Sequence, residues 1–77
     1  MITIIYLTDF GLSELERQVR MWMEENFNSF HIERVYSQIT EIKCWRITGE
    51  NLSTLYEVCR DCQLNIQKKD DHAYIGV

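Results

Sequence analysis

Ile2-Thr3-Ile4-Ile5-Tyr6-Leu7-Thr8 is the stretch around which the rest of the chain has to be arranged. It is β-branched, aromatic and apolar at both sets of alternating positions, so neither face of an extended chain here suits open water. It reads as a central strand, covered on at least one side. Asp9-Phe10-Gly11 follows as a turn, and Ser13, three residues before Glu16, has the spacing of a capping box. Leu12, Leu15, Val19, Trp22, Met23 and Phe27 then recur at steps of three and four, which predicts one helical stripe running to about Asn26. Glu14, Glu16, Arg17, Arg20, Glu24 and Glu25 fall largely outside that stripe and face water, and Asn26 and Asn28 suit a left-handed exit.

Further along, residues 30–39 and 41–48 form two extended runs joined by a polar turn near residues 38–41. Phe30 and Ile32 share a face while Val35 lies on the other, which calls for a bulge or a two-faced strand. In the next run Trp45 and Ile47 share one face, and Ile42 and Cys44 the opposite one. Gly49-Glu50-Asn51 breaks the pattern, with Asn51 as an N-cap. Leu52, Leu55, Tyr56, Cys59 and Cys62 give a second amphipathic helix. Residues 64–67 are extended, Lys68-Lys69-Asp70-Asp71 is a charged turn, and residues 72–77 make a last strand.

The order strand, helix, strand, strand, helix, strand predicts an α+β domain spanning residues 1–77. With right-handed crossovers it becomes a ferredoxin-like βαββαβ plan: a four-stranded antiparallel sheet with two helices on one face. The expected core sets Leu15, Val19, Trp22, Phe27, Leu52, Leu55 and Cys59 against Ile4, Ile32 and Ile47. This plan leaves one sheet face open and hosts many unrelated functions, so function must be argued from a site.

Composition narrows the classes. With 45% hydrophobic and 26% charged residues the chain is globular in character. No run approaches the roughly 20 apolar residues of a membrane span, and the first strand lacks the basic flank of a signal peptide. A cytoplasmic protein without membrane association is expected. Three cysteines in such a chain point to reduced thiols, and a net charge of −4 is the wrong sign for a surface that attracts phosphate throughout.

Catalytic and metal patterns are thin. Cys59-Arg60-Asp61-Cys62 has CxxC spacing, but it falls near a helix end whose dipole opposes a thiolate, and Cys59 continues an apolar stripe. Adding Cys44 and either His31 or His72 would give four zinc ligands with only one closely spaced pair. We therefore expect no metal and no cofactor. Asp9-Phe10-Gly11 matches the magnesium-binding tripeptide of protein kinases without any of its companion loops. No phosphate-binding glycine loop or serine elbow occurs, and the neighbouring carboxylates Glu24-Glu25 and Asp70-Asp71 splay apart. A non-enzymatic protein is expected.

Ile5-Tyr6-Leu7-Thr8-Asp9-Phe10 resembles the first consensus strand of RNA-recognition motifs. That resemblance implies a base stacked on an aromatic ring of the open sheet face. The third strand departs from the family, since Ile42-Lys43-Cys44-Trp45-Arg46-Ile47 lacks the glycine and offers only Trp45, although Lys43, Arg46, Arg34 and His31 add positive charge. Asp9-Phe10-Gly11-Leu12 is similar to the ligand loop of ACT-like regulatory domains, a resemblance that implies a small-molecule-binding regulatory role.

The leading expectation is a protein-binding module. Four tyrosines, three phenylalanines, two tryptophans and three methionines exceed what one thin core must hold. Arg34, Tyr36, Lys43, Trp45 and Arg46 are the candidate partner-binding residues, close together across one hairpin and rich in the types that anchor interfaces. The partner is another protein or a second copy of this chain. A small motif-free domain also suits an accessory inhibitor of the phage or plasmid kind, blocking a host protein. Single-stranded RNA on the open sheet face is the alternative.

Overall fold

β1 (Ile4–Leu7) lies in the middle of a five-stranded sheet, as its two apolar faces require. The computed structural model describes residues 2–38, 41–50 and 52–76. After β1 come α1 (Asp9–Asn26), a 3-10 turn (Phe27–Ser29), β2 (Phe30–Ser37), β3 (Ile42–Gly49), α2 (Leu52–Asp61), β4 (Ile66–Lys68) and β5 (His72–Ile75). The spatial order is β2-β3-β1-β5-β4. Ile5 and Leu7 point to the helices and are fully buried with Leu15, Ile47, Leu52, Leu55, Cys59, Ala73 and Ile75. Both helices therefore cover one face of the sheet, and the other face is left without a helical layer.

The α+β class holds, but the four-stranded antiparallel plan does not. The first half follows it: β3 lies antiparallel between β1 and β2. The second half departs because the chain after α2 forms a hairpin instead of one strand. Its first arm, β4, takes the edge, and its second arm, β5, inserts between β4 and β1, parallel to β1. Burial explains the choice. Ala73, Tyr74 and Ile75 are buried, whereas Gln67 and Lys68 are exposed, so the apolar arm takes the interior position and the polar arm the edge.

Helix α1 begins earlier than the capping-box spacing suggested. Thr8 is the N-cap, extended at φ −70° and ψ 164°, and its hydroxyl accepts from the Gly11 amide at 3.0 Å. Asp9-Phe10-Gly11 is thus the first helical turn, with the Asp9 carboxylate beside the positive end of the helix dipole. Ser13 and Glu16 fall inside the helix. The same Thr8 hydroxyl donates to the Gly76 carbonyl at 2.9 Å, which ties the helix start to the end of β5.

At Val19 the helix leaves helical geometry (φ −133°, ψ 37°) and is kinked. Beyond the kink Met23 is the buried residue, and Phe27, expected in the core, turns out to water. Phe30 takes its place, 5.8 Å from the Trp22 ring. Val19, Trp22 and Ile32 are partly buried and pack on the core. Ile4, expected inside, is on the open face, because alternation gives the helix side to Ile5 and Leu7. No left-handed residue ends α1: Asn26 has φ −108°, and its side-chain amide donates to the Trp22 carbonyl at 2.9 Å. The left-handed exit belongs to α2, at Gln63 (φ 60°).

The hairpin of β2 and β3 runs in one unbroken register from Phe30 opposite Gly49 to Ser37 opposite Ile42. The alternation that looked imperfect comes from a two-faced strand without a bulge. Glu41 turns the chain into β3 with φ 58°. The expected N-cap Asn51, and Ile39 at the end of the predicted second strand, lie outside the described residues.

Candidate protein-binding surface

The hairpin register sorts the five candidate residues. Arg34 faces Trp45 and Tyr36 faces Lys43 across the strands, all four on the helix side. Arg46 faces Glu33 on the open side and is ion-paired with it. The structure therefore brings four of the five together and separates Arg46.

Within the four, Arg34 and Trp45 are joined to Asp9 at the first turn of α1. Arg34 embraces the Asp9 carboxylate with both terminal nitrogens, Nη2 at 2.9 Å from Oδ2, and the Trp45 indole Nε1 donates to Oδ1 at 2.9 Å. The Arg34 guanidinium lies over the Trp45 ring, 5.0 Å from its centroid. The Arg34 hydrogen bonds first, and the indole second, hold the Asp9 carboxyl down at about 2, so it stays ionised throughout the physiological range. Trp45 is partly buried against the core. These two residues fasten the hairpin to α1 with their donors already engaged by Asp9, so neither is free to anchor a partner in the cleft.

Tyr36 is free to do so, and the helix start adds a neighbour that sequence reasoning missed. Phe10 is 64% exposed, Tyr36 61% and Ile42 45%. A shallow cleft is lined by Thr8, Asp9, Phe10, Arg34, Ile42, Lys43 and Gly76. Tyr36 stands directly across the hairpin from Lys43, at the rim. Pattern alone makes Phe10 part of a turn, and its exposure follows from the Thr8 cap: on the first helical turn it points away from the face that carries Leu12 and Leu15. The apolar stripe that begins at Leu12 does not include Phe10, whereas the Thr8-to-Gly11 cap spacing marks it as part of the first turn.

The cleft walls are stiff. Gly76 has φ +87°, and a Cβ there would lie 2.4 Å from the Thr8 Oγ1 and 2.9 Å from the Gly11 Cα. A Cβ on Gly11 would lie 2.8 Å from the Leu7 Cδ1. Backbone packs on backbone at this junction, which only glycine permits.

The open sheet face carries a different set. Tyr6 and Tyr74 are cross-strand neighbours with ring centroids 4.9 Å apart and planes within 14°, and the His72 ring meets both edge-on. Tyr6 does occupy the open face, where the resemblance to RNA-recognition motifs puts a stacking aromatic. Its ring is stacked on Tyr74, however, and Trp45 of β3 lies on the opposite face. Three basic residues of the middle strands already face carboxylates: Arg34 is paired with Asp9, Arg46 with Glu33, and His31 lies 3.9 Å from the same Glu33.

Burial pushes the thiols up. Cys59 reaches about 12, first through burial and then through Cys62, and burial also raises Cys44 and Cys62. Cys59 is in the last turn of α2 and Cys62 just beyond it. Among the described residues no three His, Cys, Asp or Glu side chains gather as a metal site would need, and no helix is long and apolar enough to cross a membrane. Compared with protein-family models, with curated proteins and with solved structures, the chain matches none of them.

Proposed function

We propose that this chain is a non-enzymatic protein-binding module whose partner docks in the cleft between the start of α1 and the β2–β3 hairpin. Phe10 and Ile42 are the anchors, with Tyr36 and Lys43 at the rim. The observation that carries the reading is that Phe10 and Ile42 line one shallow cleft, with Tyr36 across the hairpin from its Lys43, each of the three exposed well beyond what a large apolar side chain favours. Aromatic anchors beside a positive charge are the usual content of a binding hot spot. The Asp9–Arg34–Trp45 network and the glycine junction fix the walls beforehand, so little ordering has to accompany binding.

Acting by occupancy, a rigid module of this size would block a site on a larger protein, which is the action of an accessory inhibitor. The raised thiols support a non-catalytic reading, because none is held as a ready nucleophile. A photo-reactive residue placed at position 10 or 42 and activated in the source cells should cross-link one defined protein. The same residue at position 57, on the exposed side of α2, should not. Equal capture from both places would remove the cleft from the account.

A further inference from the structure

The two edges of the sheet are built differently. β4 has three residues, ends on Lys68 and runs into Lys69, so its outer edge is short and positively charged, a common guard against pairing with another strand. β2 has eight residues in one unbroken register with β3, without a bulge, and contains neither proline nor lysine. Its outer backbone groups form a regular template for strand addition.

Symmetry limits how a second copy can use that template. In an antiparallel β2–β2 pair the two-fold axis stands perpendicular to the sheet, each face continues into its like, and the axis passes through one residue. An axis at Glu33 or Arg34 opposes two like charges. An axis at Ile32 turns Tyr36 toward the 3-10 turn of the second copy, where no strand continues, and leaves it uncovered. An axis at Val35 sets valine on valine on the open face. On the helix side it sets Arg34 opposite Tyr36 of the second copy, twice. Arg34 already lies 5.0 Å over Trp45, its neighbour on β3, so the second tyrosine would close the guanidinium between two rings.

We propose that two copies of this chain pair edge to edge through β2 about a two-fold axis at Val35, joining two five-stranded sheets into one of ten strands. The inference goes beyond partner docking and does not depend on it: Tyr36 belongs to both surfaces, but Phe10 and Ile42 lie off β2, so changes there remove the cleft and leave the dimer intact.

Sedimentation of the full chain at a concentration on the order of 100 µM should show a dimer. Tyr36→Ala removes, from an exposed position, the ring that faces Arg34 of the second copy, and should raise the dissociation constant about tenfold or more. Register is read by cross-linking. Val35→Cys, made together with Cys44→Ser to remove the thiol that faces position 35 across β3, brings two thiols together at the axis, within reach of a disulfide, and mild oxidation should give a covalent dimer. His31→Cys, exposed on the same face, puts its thiols more than about 20 Å apart and should stay uncross-linked. A parent that sediments as a monomer, a dimer untouched by Tyr36→Ala, or equal cross-linking from positions 31 and 35 would each overturn the proposal.

Discussion

Asp9 and Gly11, two residues apart, are where a local reading and the folded chain diverge most. Gly11 is in a helix, where alanine ordinarily gains about 1 kcal/mol over glycine. Here the new Cβ would meet the Leu7 Cδ1 at 2.8 Å and the Ile75 carbonyl oxygen at 3.2 Å, so Gly11→Ala should instead destabilise by about 1–3 kcal/mol in chemical denaturation. A stabilised variant would show that this junction is loose. Asp9 gives a pH signature. Its folded-state value, about 2, lies below its ordinary 3.8, so its contribution is present above about pH 4 and is lost as pH falls towards 2. Hydrogen bonding lowers Glu33 and Asp71 as well, and their contributions are lost on the same acid side. Melting temperatures of the parent and Asp9→Asn should therefore differ at pH 7 and converge near pH 2. Parallel curves would mean that the Arg34–Asp9–Trp45 network contributes nothing.

Periodicity made most elements legible and left their ends obscure. The first strand, both helical stripes, the opposed faces of Trp45 and Cys44 and the charged turn before the last strand are all in the pattern, because burial writes itself into every second or every third and fourth residue. The kink at Val19 has no proline to announce it, so Phe27 stayed in the predicted stripe although it faces water. The insertion of β5 was obscure for another reason. Residues 64–67 read as extended, but a strand as short as Ile66–Lys68 does not declare itself a separate member of the sheet. Of the candidate site, Tyr36 and Lys43 were legible from the hairpin, whereas Phe10 needed the true start of α1. Helix α2 closes on a Schellman pattern, with the Gln63 amide 3.0 Å from the Arg60 carbonyl and the Leu64 amide 3.4 Å from that of Cys59. Gln63 holds φ 60° there, a position glycine adopts without strain. Gln63→Gly should raise stability by about 0.5–1 kcal/mol, read as a higher denaturation midpoint with an unchanged slope. A lower midpoint would mean that the glutamine side chain supports the turn in a way the backbone does not reveal.

At the scale of the molecule the helices and sheet form a frame with two unlike ends. One end gathers Phe10, Tyr36, Ile42 and Lys43, and the other holds the 3-10 turn and the break after β3. A protein partner held by apolar anchors and a nucleic acid held by its phosphates respond oppositely to salt. Binding at the cleft should change little between 50 and 200 mM salt, intervals over which phosphate contacts lose orders of magnitude. The most direct measurement is the affinity of the cross-linked partner, once identified, for the parent, for Phe10→Ala and Ile42→Ala, and for Arg20→Ala and Glu57→Ala on the exposed helix faces. At least one of the cleft variants should lose about 2 kcal/mol or more of binding with its melting temperature unchanged, and the helix-face variants should lose none. Normal binding by both cleft variants, with binding abolished by a change at Arg20 or Glu57, would contradict it.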